Sequence, residues 1–192
     1  GPTPAWLVDG RRGTWVILVH GYNAPRTETL RTLATATRRG YPALAVSYRN
    51  DPGAPRNPDG LCHWGATEWR DLEAATRYAL GHGAAGVVLA GYSMGAAVVT
   101  SLLLESPLAA RVRGVILDAP ALDLGSVIDN GATDRELPIL GTPVPPALTE
   151  AAKGIAGLRY HLDWGELDYV DRAGRLSPPM LVFHQTGDPT VP

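Results

Sequence analysis

Apolar residues come in short unbroken runs, and these alternate with stretches of helical spacing. "TWVILVH" (14–20), "ALAVSY" (43–48), "GVVLAGY" (86–92), "VRGVILDAP" (112–120) and "PMLVFHQ" (179–185) are runs of strand length. The first of them, short, β-branched and unbroken, predicts a strand covered on both faces. Between the first two, "TETLRTLATATRRG" (27–40) has the spacing of a helix, with Gly40 placed to end it. "TEWRDLEAATRYALGHG" (67–83) puts Trp69, Leu72, Ala75 and Ala79 on one helical face. Glu68 and Asp71 suit the positive end of that helix. "MGAAVVTSLLLE" (94–105) is a third helix, while residues 50–65 carry too many Pro and Gly for anything but a long loop.

Strand–helix alternation predicts an α/β fold, a single core over 1–192 with a mainly parallel sheet and helices on both faces. Residues 122–178 break the rhythm, since connections usually run about 4–6 residues. A crossover helix around 147–157 and a small lid-like insertion are expected there. Its Tyr160, Trp164, Leu167 and Tyr169 suit the wall of an apolar acyl pocket and ordinary core packing equally. No opening strand is legible ahead of residue 14. In such sheets ligands bind beyond the carboxyl ends of the strands, so chemistry is sought there.

Composition narrows the function classes. The 192 residues are 45% hydrophobic and 19% charged, an ordinary globular balance. A net charge of −2 and scattered arginines argue against nucleic acid or an anionic membrane as partner. Cys62 is the only cysteine, which excludes an internal disulfide and a thiolate metal cluster. No His/Cys/Asp/Glu spacing matches a metal site, so neither metal nor cofactor is expected. No apolar run approaches the roughly 18 residues of a membrane span. "GPTPAWLVDG" has no secretory pattern, and a cytoplasmic location is the expectation. Oligomeric state is left open.

Three features converge at strand ends. In Gly91-Tyr92-Ser93-Met94-Gly95, serine sits where strand becomes helix, and the two glycines relieve crowding at a sharp turn. A serine hydroxyl presented this way is a candidate nucleophile once a base takes its proton. "HGYN" (20–23) follows the first strong strand. The amides of Tyr22 and Met94 are candidate donors to the oxyanion of an acyl-transfer reaction. His20 and Gly21 flank that turn, and His20 is read as a strand-end histidine bonded to nearby backbone in preference to a proton shuttle. In "HQTGDPTVP" (184–192), Asp188 either bonds its own turn or points back toward a histidine. Beside the other two features, the second role is preferred.

With "HGYN", "GYSMGA" and "HQTGDPTVP", the chain resembles the α/β-hydrolase superfamily, in particular its serine-esterase, monoacylglycerol-lipase-like and serine-aminopeptidase-like branch. "SYRND" and "EWRDLEAA" add agreement. The resemblance implies Ser93 as nucleophile, Asp188 as triad acid, and Tyr22 and Met94 as oxyanion donors, acting on a small ester or lipid-like substrate. It also implies the chain order Ser, Asp, His. Only four residues follow Asp188, so the expected histidine falls beyond Pro192, and the chain is expected to be truncated at both ends. Of the five histidines present, His63 in the long loop is an alternative base. Asp118, at the end of its strand, is an alternative acid. A catalytically inactive binding fold and a perhydrolase or acyltransferase remain as rival functions.

Overall fold

The computed structural model describes residues 2–133, 135–137, 141–188 and 190–191. Its six-stranded sheet is built from β1 (Ala5–Val8), β2 (Thr14–Val19), β3 (Ala43–Val46), β4 (Gly86–Tyr92), β5 (Val112–Asp118) and β6 (Met180–Phe183). The spatial order is β1-β3-β2-β4-β5-β6, with β1 antiparallel to β3 and every other pair parallel. From β2 the chain steps outward to β3 and then returns to lay β4 on the other flank of β2. The carboxyl ends of β2 and β4 therefore border the switch point where α/β sheets open a crevice.

Five α-helices occur among the described residues: α1 (Leu30–Arg38), α2 (Trp69–Gly81), α3 (Met94–Glu105), α4 (Leu124–Thr133) and α5 (Pro146–Tyr160). Alternation along the strands divides the core into two layers. Ile17, Val19, Leu44, Val46, Val87 and Leu89 pack with α2 and α3 through Leu72, Ala79, Val98 and Leu102. Val16, Leu18, Ala43, Ala45 and Ala90 face the other way, against Leu33 and Ala36 of α1. Helix α3 is buried on all sides from Met94 to Leu103, as expected of a helix apolar all round. In β6, by contrast, all four side chains are exposed.

The sequence expectation needs correction at four places. The helix expected over 27–40 opens with a 3₁₀ turn, Arg26–Thr29, before α1 begins. Strand β3 ends two residues early because the Tyr48 amide turns to Asp51 Oδ2, at 2.9 Å. An opening strand does exist: β1 has only exposed side chains, so burial left no pattern to read. The 122–178 stretch holds two helices, and α4 went unnoticed because "LGSVIDNGAT" is rich in weak helix formers. Lys153 of α5 ties the two together through Asp129 of α4, at 2.8 Å. No helix among the described residues is long and apolar enough to cross a membrane.

Candidate active site

The turn between β4 and α3 is shaped by what cannot fit there. A Cβ on Gly91 would lie 2.5 Å from Gly95 O, and one on Gly95 would lie 2.4 Å from Val19 O. Both distances are far inside van der Waals contact with backbone, which cannot swing aside, so β4, α3 and β2 approach this closely only with glycine at both positions. Between them Ser93 adopts φ 48°, ψ −118°. This lies well away from the left-handed helical well at positive ψ, and such conformations cost about 1–3 kcal/mol in a non-glycine residue.

Main-chain bonds hold the strained residue from both sides. Ser93 N donates to Asp118 O at 2.9 Å, and Ser93 O accepts from Ala96 N and Ala121 N at 3.0 and 3.2 Å. Its hydroxyl makes no hydrogen bond to any described residue. Asp118 thus lies beside the turn, opposite Tyr92 in the β4–β5 register, but it contributes its carbonyl while its side chain faces solvent.

The turn after β2 is braced by side chains from three segments. Glu28 Oε2 accepts the Gly21 amide at 2.7 Å. Gly21 O accepts the Tyr48 hydroxyl at 2.8 Å, and His20 Nδ1 lies 2.9 Å from the same carbonyl. The other ring nitrogen of His20 is 2.8 Å from Asp51 Oδ2, and the ring stacks on Tyr48 at 4.5 Å. His20 is therefore buried with both nitrogens engaged away from Ser93. Burial and nearby carboxylates push the Tyr48 phenol far above its ordinary range, so it remains a donor. Fixed in this way, the turn leaves the Tyr22 amide without an intramolecular partner among the described residues, and the Met94 amide at the start of α3 is equally unpaired.

Ser93 and Tyr22 open onto one cavity of about 710 Å³, a size usual for small-molecule sites. Trp64, Thr190 and Val191 line it. Leu124, Val127 and Ile128 of α4 line it too, spaced i, i+3, i+4 on one helical face. The long loop before α2 carries Trp64 into place. Glu68, fully buried, accepts the amides of His63 and Gly65, each at 2.9 Å. The Trp64 carbonyl receives the Tyr169 hydroxyl at 2.9 Å, and its indole N–H donates to Ala121 O at 3.0 Å. Tyr169 and Leu167 are core residues, and Tyr160 is exposed; none of the three lines the cavity.

Asp188 closes its own turn, accepting the amides of Thr190 and Val191 at 2.8 and 3.0 Å. Those amides, with a smaller contribution from His184, hold its carboxyl below the usual range. The turn thereby sets Thr190 and Val191 at the cavity, although Asp188 itself is not part of the lining. None of the five histidine rings lines it either. His63 Nε2 is 2.8 Å from Asp59, His82 bonds the Tyr78 carbonyl, and His161 and His184 are exposed. The bracing roles of Asp51 and Glu28 escaped the sequence reading, and Glu68 was read only as a charge at the positive end of its helix, for their partners are distant or lie in a loop without period. No cluster of three metal-binding side chains occurs among the described residues.

Comparison with known proteins agrees with this architecture. A family model described as "Alpha/beta hydrolase family" matches residues 16–192. No curated protein matches the chain. Among solved structures it is similar to an esterase of Pyrococcus furiosus, with TM-score 0.63 and 20% identity, covering 94% of this chain and 64% of that one. The chain thus spans less than two thirds of that esterase's length. It is also similar to an esterase of Exiguobacterium antarcticum, with TM-score 0.60 and 17% identity over 99% of this chain and 80% of that one. A monoacylglycerol lipase of Paleococcus ferrophilus gives TM-score 0.60 and 18% identity over 95% and 77%. At these identities the likeness is one of fold.

Proposed function

The chain belongs to the alpha/beta hydrolase family, and from that premise we propose that it is a serine hydrolase cleaving a carboxylic ester through an acyl-enzyme on Ser93. The observation that carries this reading is the strained Ser93 backbone between Gly91 and Gly95, in a residue that lines the cavity and whose hydroxyl has no hydrogen-bond partner among the described residues. Strain of this kind persists only where the surroundings impose it, and it gathers at functional positions. In the proposed reaction Ser93 Oγ attacks the ester carbonyl, and its proton passes to a base. The amides of Tyr22 and Met94 receive the oxyanion, the alcohol leaves with a proton, and water then releases the acid. Asp188 is assigned to orienting and stabilising the base. The five histidines do not supply that base from the positions described above.

The same gap in the cavity lining favours a second reading, in which the fold binds a ligand without turning it over. One experiment separates the two. The protein is treated with a fluorophosphonate, with and without added imidazole, and adducts are located by mass spectrometry in wild type and Ser93→Ala. The hydrolase reading expects an adduct on Ser93 that imidazole accelerates and the substitution abolishes. Absence of any Ser93 adduct under both conditions refutes it and favours the binding fold.

A further inference from the structure

Apart from Arg135, every described residue lining the Ser93 cavity is uncharged. Arg135 lies two residues beyond the end of α4, whose apolar face lines the cavity. The other end of α4 follows Ala121, whose amide bonds the Ser93 carbonyl. A helix rises about 1.5 Å per residue, so α4 itself spans roughly 14 Å. The described lining thus combines Ser93, an aliphatic face of α4 and a cation from beyond its end.

The Arg135 side chain is exposed. Arg49, Arg77 and Arg172 each pair with a carboxylate, as does Lys153, whereas Arg135, like the other arginines, does not among the described residues. Among the described residues no acid pairs with Arg135, and its main chain alone is bonded, to Ala132 and Val144. A planar fork of donors with no acceptor among the described residues, beside an apolar chamber, suits a carboxylate or phosphate.

We infer that the cavity selects an acyl chain ending in an anion, with the reacting ester at Ser93 and the distal anion on Arg135. This inference rests on the hydrolase reading for the ester end, while the anion end is tested by itself. Calorimetric titration of the whole chain compares octanoate, octyl phosphate and octanol in wild type, Arg135→Gln and Arg135→Lys. One or both anions should bind roughly tenfold tighter than octanol, as expected for a charge-assisted fork. Added salt should narrow the gap, Arg135→Gln should close it, and Arg135→Lys should retain part of it. Whichever anion binds tighter identifies the chemistry of the terminal group. Equal affinity for all three ligands, no binding of any, or a preference that survives Arg135→Gln overturns the inference. Labelling of wild-type Ser93 reports separately on the hydrolase reading: anion selectivity without labelling defeats that reading and leaves the anion site standing.

Discussion

Replacing Ser93 by glycine should stabilise the protein relative to replacing it by alanine, the reverse of the usual order. Both changes delete the same hydroxyl, which bonds to no described residue, so its loss is common to the pair. Alanine keeps the Cβ that makes φ 48°, ψ −118° costly, whereas glycine removes it. The strain released is about 1–3 kcal/mol. Against it stands the extra freedom of glycine in the unfolded chain, about 0.5–1 kcal/mol. The balance favours Ser93→Gly by about 1 kcal/mol, which in a domain of this size raises Tm by roughly 2–4 °C. Urea and thermal unfolding of the two variants side by side measure it, and equal urea slopes confirm that the unfolded states match. A Ser93→Gly midpoint equal to or below that of Ser93→Ala would show that strain at residue 93 does not exceed the roughly 0.5–1 kcal/mol cost of glycine, undercutting the observation on which the functional reading rests.

Two further outcomes follow from the packing. Gly95→Ala places a Cβ 2.4 Å from Val19 O and 2.6 Å from His20 O, and should lower stability by about 2–3 kcal/mol. Gly114→Ala, whose nearest neighbour is Pro179 O at 3.7 Å, should stay within about 0.5 kcal/mol of wild type; urea midpoints compare the two. Burial, with Glu68 adding to it, pushes the Cys62 thiol up from 9.0 to about 12. At pH 8 its thiolate fraction falls roughly a thousandfold, so iodoacetamide should modify the native protein far more slowly than the urea-unfolded chain. Because the folded thiol keeps its proton after the unfolded one has released it, this contribution to stability is whole below pH 9 and is lost as pH climbs toward 12.

How far the sequence was legible depended on whether each signal was local. Strand β4 and helix α3 matched their expected bounds because a buried apolar run, a glycine-flanked serine and a second apolar run follow one another without interruption. Helix α4 was obscured by Gly125, Gly131 and Asn130, although Leu124, Val127 and Ile128 keep helical spacing. The bracing of the β2 turn was beyond reach, since it joins His20 to Asp51 and Tyr48 across segments whose approach depends on the finished sheet. In the 50–65 loop, order comes from side chains that replace a backbone ladder. Asn50 and Asn57 both donate to Leu61 O at 2.7 Å, and no period in the sequence announces such contacts. Asp188 illustrates a different limit: its carboxylate does close its own turn, yet that turn also carries Thr190 and Val191 to the cavity.

Position 93 is clasped through its peptide groups alone, by Asp118, Ala96 and Ala121. The hydrogen bonds of the frame therefore do not involve the side chain it displays. A thiol or a carboxylate installed there inherits the same mount beside the same chamber. Position 93 is in this sense a holder with an exchangeable tip, on which different side chains can be compared at one fixed location.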